Sequence, residues 1–480
     1  MSELRGKVLS SLRWQTAAKL GSQVISWSIT LLVMRLLAPA DYGLMAMAMV
    51  LVGFSVLVAE MGLGAALVRA PEADANLQRR VAGLALAINT LLYLILLALT
   101  PLVVALFKEP RLALLCAVAG LQLPLAALGT VPDAMARRDL HFKPLSLIEL
   151  GTQTGGALIT LGAALGGLGV WSLVLGHVGG SLIRSALLLL RFGGVAPRFA
   201  LRGQRELLGF GGSLTVNRAV WYFSGQADVF VAGRLLGQQQ LGYYTVALNL
   251  ATMPMQKLMQ IANQMAYSSF AKLQGEPERR NAALLRSVSL MSSISVALLW
   301  GLAATAPDLL PVLLGATWQP ATLPLQIISV VVPLRIVAAL LSTALVACGH
   351  VRDDLYNTLL GAAILIPMFI AGTLGGGLIG LSLAWAVAYP VYGLLLMRRA
   401  CLRFDLGLSE VLRQLGTPLA GGLALAAAVT AVRLGLPELA IVLRLPLQIA
   451  AGGLAYLLAL RLLDPSLLHE ARQFLGRKPS

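Results

Sequence analysis

Apolar residues run through this chain in stretches longer and more evenly hydrophobic than the buried stripe of a soluble helix, and polar residues collect in the short gaps between them. A hydrocarbon core about 30 Å thick takes roughly 20 such residues per helical crossing. On that criterion the pattern predicts fourteen spans, at about 17–37, 43–68, 81–107, 111–131, 145–165, 168–190, 209–236, 242–269, 283–306, 323–347, 355–374, 377–397, 415–435 and 440–462. Three short amphipathic segments flank them: 4–12 and 201–208, which share a Leu-Arg-Gly triplet, and 409–415, with Ser409 as its candidate N-cap. The expected fold class is all-α, a polytopic membrane protein.

The pattern also repeats. Arg35-Leu36-Leu37 with Gly43 returns as Arg234-Leu235-Leu236 with Gly242, and 234 − 35 and 242 − 43 both equal 199. Gly167-Leu168 with Ser172-Leu173 returns as Gly377-Leu378 with Ser382-Leu383, at 377 − 167 = 210. Six helices per repeat bring the chain back to its starting side, so the repeats are parallel, related by an axis along the membrane normal. The expected organisation is an N-terminal six-helix lobe at 1–200, a C-terminal six-helix lobe at 201–405, and two further helices with a tail at 406–480. Transporters built from such repeats carry their substrate site between the halves.

Composition sharpens this picture. With 58% hydrophobic and 12% charged residues, the chain is excluded from the ordinary soluble class. A net charge of +16 would suggest a nucleic-acid partner in a soluble protein. Here about 24 Lys and Arg fall in alternate loops against 3 in the others, which is the bias that orients a membrane protein and places both termini in the cytoplasm. No nucleic-acid partner is therefore expected. The basic, polar start is followed by a run long enough to span, so no cleaved signal peptide is expected either. Cys116, Cys348 and Cys401 are too scattered for a disulfide framework or a metal cluster.

Candidate chemistry lies with the ionisable groups inside apolar runs, each of which costs about 2.5–3.5 kcal/mol near the bilayer centre on insertion scales. Arg218, Lys257, Arg335 and Lys19 fall at middle or inner depth. They read as an electropositive cavity for an anionic group, or as partners of acids such as Glu60, Asp228 and Glu149, or as snorkelling side chains. Glu60 and Asp228 are candidates for ion coupling or for charge pairing. Gln256 and Gln260 suit hydrogen bonds to sugar hydroxyls or, equally well, to neighbouring helices, and Trp221 and Tyr222 lie too deep for an interfacial belt, so stacking on a sugar competes with core packing. His177 stands alone in mid-helix, a core histidine or a proton relay. Gly375 to Gly380 fits a dinucleotide-binding spacing but follows no strand, and neither a phosphate-binding lysine loop nor a catalytic constellation is present. Neither a catalytic residue nor a cofactor or metal is expected.

Several short motifs resemble, in order and over nearly the whole chain, the polysaccharide and oligosaccharide flippases of the multidrug/oligosaccharidyl-lipid/polysaccharide exporter superfamily, particularly the branch of colanic acid exporters. They are Met1-Ser2-Glu3-Leu4-Arg5 with Trp14, Arg35-Leu36-Leu37 to Tyr42-Gly43, Arg234-Leu235-Leu236-Gly237 with Gly242-Tyr243, Pro254-Met255-Gln256-Lys257-Leu258, Phe270-Ala271-Lys272-Leu273-Gln274, and Leu325-Gln326 with Arg335. The resemblance implies a flippase that moves an undecaprenyl-diphosphate-linked repeat unit across the bacterial inner membrane by alternating access, for exopolysaccharide or lipopolysaccharide synthesis. It implies membrane lipids, a polymerase and export machinery as partners, and basic residues for the diphosphate, with Lys257 and Arg335 at positions that are basic in that branch. A proton- or sodium-coupled multidrug exporter shares the architecture. Its cationic cargo favours acidic or aromatic cavities, whereas this one reads as basic.

Overall fold

The computed structural model describes residues 26–59, 63–70, 72–199 and 222–465, without the side chains of residues 65, 66, 257, 258, 260–265 and 268. The segments 4–12 and 201–208 lie outside the described residues. The fold is all-helical, with no strand among the described residues.

The helices in order are α1 (Ser26–Leu36), α2 (Pro39–Ala59), α3 (Leu63–Arg69), α4 (Ala75–Phe107), α5 (Leu112–Gly120), α6 (Gln122–Arg138), α7 (Phe142–Leu165) and α8 (Val170–Phe192). They continue as α9 (Ala227–Lys272), α10 (Pro277–Leu313), α11 (Thr322–Ala347), α12 (Val351–Phe404), α13 (Leu408–Gly435) and α14 (Ile441–Leu463). Predicted spans and helices do not correspond one to one. The fourth span is α5 and α6 in succession, and α12 carries both the eleventh and twelfth spans, broken by non-helical backbone at Gly376 and Gly377. The end of the predicted seventh span and the whole of the eighth lie in α9, broken at Gly237. Nine helices among the described residues are long and apolar enough to cross a membrane. The segment 409–415 belongs to the start of α13, and Ser409 does not cap it: Gly407 holds that position, its amide donating to Glu410 Oε1 at 3.2 Å.

The chain divides into two compact units, Met1–Gly242 and Tyr243–Ser480. In the first, Leu63 and Leu67 of α3, Val81 and Leu84 of α4 and Val131 of α6 form a buried apolar core. In the second, Val296 of α10 meets Leu425 and Val429 of α13 and Tyr456 and Leu460 of α14. The last helix shows the logic of a protein dissolved in lipid. Its inward stripe holds Gln448, Gly452 and Tyr456, while Leu443, Leu447, Leu454 and Leu458 are exposed. Hydrocarbon accepts leucine, so the polar positions must face protein.

Turns expose the duplication. Positive φ recurs in pairs: Lys108 with Gly315, Leu140 with Gly349, Gly169 with Gly377 and Gly193 with Asp405. Gly169 (φ 53°, ψ −130°) and Gly377 (φ 56°, ψ −134°) have nearly the same backbone. After the fourth helix of each repeat the amide of His141 donates to the carbonyl of Ala136 at 2.8 Å, and that of His350 to Leu345 at 2.9 Å. Both pairs lie 350 − 141 = 209 apart, which fixes the register of α6 on α11.

The motif read from Arg35 to Gly43 has a steric purpose. A Cβ on Gly43 would sit 1.7 Å from the carbonyl oxygen of Gln238, and one on Gly242 would sit 1.7 Å from that of Pro39. Because 238 − 39 and 242 − 43 are both 199, the two close approaches are the same contact made twice, as in a two-fold interface. Only glycine fits at either position.

Candidate functional site

Among the described residues, one place in each unit sets charge beside a cavity or a column of rings. The first is a cavity of about 1040 Å³ walled by α1, α2, α3, α4, α6, α7 and α8. Glycines at 156, 176 and 180 let α7 and α8 cross closely, Gly156 standing 3.1 Å from the Gly176 carbonyl by the position of its missing Cβ. This brings charges on three helices together.

Asp133 of α6 accepts from Arg137 Nε at 2.6 Å and from Arg184 Nη2 of α8 at 3.0 Å. Arg184 Nη1 reaches Glu149 Oε2 of α7 at 2.5 Å, and Gln153 donates to the other oxygen of Glu149 at 2.8 Å. With Arg69 also on the wall, the described lining holds three guanidiniums and the carboxylate of Asp133, while Glu149 pairs with Arg184. Such a vestibule favours an anion. His177 also lines it, with Nδ1 donating to the carbonyl of Leu173 at 2.9 Å, so its ring is held by its own helix.

The second place surrounds Arg335. Thirteen residues from the start of α11, about 20 Å at 1.5 Å per residue, this guanidinium is exposed in mid-helix. No carboxylate among the described residues lies within ion-pair distance of it. Its guanidinium instead sits over the ring of Trp385 of α12, 5.5 Å from the centroid. Trp385 stacks on Tyr389 at 4.6 Å and 19°, packs on Phe369 at 5.8 Å and donates its indole N–H to Tyr244 Oη at 2.7 Å. In the register of the repeats 335 − 126 = 209, so Arg335 corresponds to Ala126, a wall residue of the first cavity. The guanidinium thus occupies the second repeat's version of that wall.

The other sequence candidates fare variously. Lys19, Glu60, Arg218 and Trp221 lie outside the described residues. Lys257 and Gln260 fall on α9, their side chains outside the described set, and Gln256 is exposed on the same helix. Tyr222 is spoken for by packing: its hydroxyl lies 3.0 and 3.1 Å from the carbonyl oxygens of Met49 and Val50, and its ring tilts against Phe54 at 5.8 Å. Asp228 is buried at 3% exposure, and its Oδ1 accepts from the amide of Val229 at 2.8 Å. Glu149 pairs as an acid should, though with Arg184 rather than with the cations singled out from the sequence. Arg184, Asp133 and the ring column of Trp385 and Tyr389 are the features the sequence reading missed. Arg184 lies six residues inside the end of the predicted sixth span and Asp133 two residues past the end of the fourth, so neither falls at the middle depth where a charge is costly.

The comparisons with known proteins agree with this architecture. Over 392 residues the chain is 24% identical to the lipopolysaccharide biosynthesis protein WzxC of Escherichia coli (strain K12), covering 80% of this chain and 78% of that one. It is 27% identical over 320 residues to the succinoglycan biosynthesis transport protein ExoT of Rhizobium meliloti (strain 1021), covering 65% and 64%. Its fold matches that of the lipid II flippase MurJ in an inward closed conformation, with a TM-score of 0.76 at 14% identity over 95% of this chain and 99% of that one. Residues 32–323, more than half of the sequence, match the model of the family described as polysaccharide biosynthesis protein. This multi-pass membrane protein with the MurJ-like transporter fold is therefore a member of the polysaccharide biosynthesis protein family.

Proposed function

We propose that the protein is a flippase that carries an undecaprenyl-diphosphate-linked oligosaccharide from the cytoplasmic to the periplasmic leaflet of the bacterial inner membrane, with both its termini in the cytoplasm. A diphosphate cannot cross hydrocarbon unaided, whereas its polyprenyl tail dissolves there. The protein needs only a wet, basic route for the head. Alternating access supplies the movement, no bond is made or broken, and the exported unit passes to a polymerase and export machinery. The names of WzxC, ExoT and MurJ support a lipid-linked saccharide as cargo.

The observation that carries this reading is Arg335, an exposed guanidinium at mid-depth with no carboxylate within ion-pair distance among the described residues. Arginine binds a phosphate with two parallel hydrogen bonds, and its charge is offset only when the ligand arrives. Lys19, Arg218 and Lys257 complete the set, since a diphosphate with about two charges needs two or three cations to neutralise it without trapping it.

The test is complementation of a strain lacking the protein. Arg335→Gln reaches the membrane in normal amount but abolishes glycan export and leaves the lipid-linked unit on the cytoplasmic side, while Arg335→Lys retains part of the activity. Full export by Arg335→Gln would defeat the assignment.

A further inference from the structure

Beside Arg335 stands a column of rings that the capture of a phosphate does not require. Phe369, Trp385, Tyr389 and Tyr392 follow one another at centroid distances of 5.8, 4.6 and 6.2 Å, the first three nearly parallel and the last at 79°. The column is buried at one end and open at the other. Trp385 and Phe369 are each 2% exposed, whereas Tyr389 and Tyr392 are half-buried.

Tyr392 packs its ring on the backbone of Gly361, 3.0 Å from where a Cβ would stand, and Tyr389 and Trp385 connect it to the Arg335 guanidinium. The Tyr392 hydroxyl has no hydrogen-bond partner among the described residues, although hydroxyls in an apolar bundle normally find one. Asp354 completes the surroundings and accepts from Ser342. In the register set by Gly169 and Gly377 (377 − 169 = 208), Trp385, Tyr389 and Tyr392 stand where the first repeat has His177, Ser181 and Arg184, all of which line the first cavity. The two tyrosines thus bring rings to places where the first repeat has a hydroxyl and a guanidinium.

We propose that the Tyr389 and Tyr392 end of this column is the platform for the sugar next to the diphosphate, with Arg335 holding the phosphate. The inference deepens the export reading and rests on it. A pyranose offers one apolar face of C–H groups and an equatorial rim of hydroxyls. It matches an aromatic face whose edge carries an unpaired hydroxyl and whose neighbour is a cation. Trp385, fixed by Phe369, Tyr389 and the Tyr244 hydroxyl, is a positioning residue: it orients the Tyr389 ring and anchors the guanidinium from below.

The experiment measures binding of two probes to the purified full chain in nanodiscs, undecaprenyl diphosphate and glucosyl undecaprenyl diphosphate. The unmodified protein binds the glucosyl lipid more tightly. Tyr389→Leu abolishes this preference, weakening the glucosyl lipid about three- to tenfold and leaving the bare diphosphate lipid unchanged. Tyr389→Phe keeps the preference because it keeps the ring, and Arg335→Gln weakens both lipids. A preference that survives in Tyr389→Leu overturns the platform while leaving the export reading intact. Failure of the unmodified protein to bind either lipid takes down both.

Discussion

The last helix, α14, is tied to α10 by a buried ion pair, and its removal is a quantitative test of what that contact contributes to the fold. Asp308, near the end of α10, accepts from Arg444 Nε at 3.0 Å and Nη2 at 2.8 Å and from Gln448 Nε2 at 2.6 Å. The two charged side chains are only 11% and 7% exposed. After Arg444→Met, Asp308 keeps one neutral donor for a buried charge, a defect that costs about 3–5 kcal/mol. After Asp308→Asn the guanidinium still reaches the carbonyl of Pro437 at 3.1 Å, so the loss is smaller. The double variant leaves no unpaired charge and recovers about 0.5–3 kcal/mol of the summed single losses. Equilibrium unfolding in mixed detergent micelles, followed by tryptophan fluorescence, measures all four proteins. Single losses that add without recovery, or an Arg444→Met protein as stable as the original, would refute the view that these helices are locked by charge.

Other substitutions test the remaining geometry. Gly43→Ala and Gly242→Ala place a methyl 1.7 Å from a backbone carbonyl that cannot rotate away, so each lowers stability by about 1–3 kcal/mol and reduces export, to the same extent because the contacts are equivalent. Unequal losses in thermal unfolding would break that equivalence. Arg184→Gln leaves Asp133 with Arg137 and Glu149 with Gln153, and the pairs are a fifth to a half exposed, so the fold loses no more than about 1 kcal/mol. Export falls nonetheless, because the first cavity loses one of the three guanidiniums in its described lining, and unchanged export would remove that cavity from the route.

Hydropathy made the all-helical membrane fold legible because the bilayer fixes the length of every crossing. Spans joined by a tight turn were legible too: the pattern ends one span at 374 and starts the next at 377, and the non-helical backbone at Gly376 and Gly377 divides α12 at that place. The repeat was legible at its glycines for a steric reason. Positions such as Gly43 and Gly242 admit no Cβ, so both copies keep the same letter, while the helices between them vary as lipid-facing surfaces do.

The site was legible only where a charge lacks a partner on its own helix. Arg335 stood out in the sequence because nothing acidic lies within a turn of it, and it is the candidate whose surroundings are now visible. Arg184 was passed over because it sits near the end of a predicted span, where a snorkelling side chain would excite no interest. Yet it turns inward and joins α6 to α7, which no one-dimensional pattern reports. The ring column was hidden for the opposite reason, since Trp385, Tyr389 and Tyr392 look like ordinary apolar filling until Arg335 is set beside them. Each unit thus sets a guanidinium in its own surroundings, opposed charges around a cavity in the first and a column of rings in the second. A cargo with a charged end and a sugar end is the kind of ligand for which such a division would be useful.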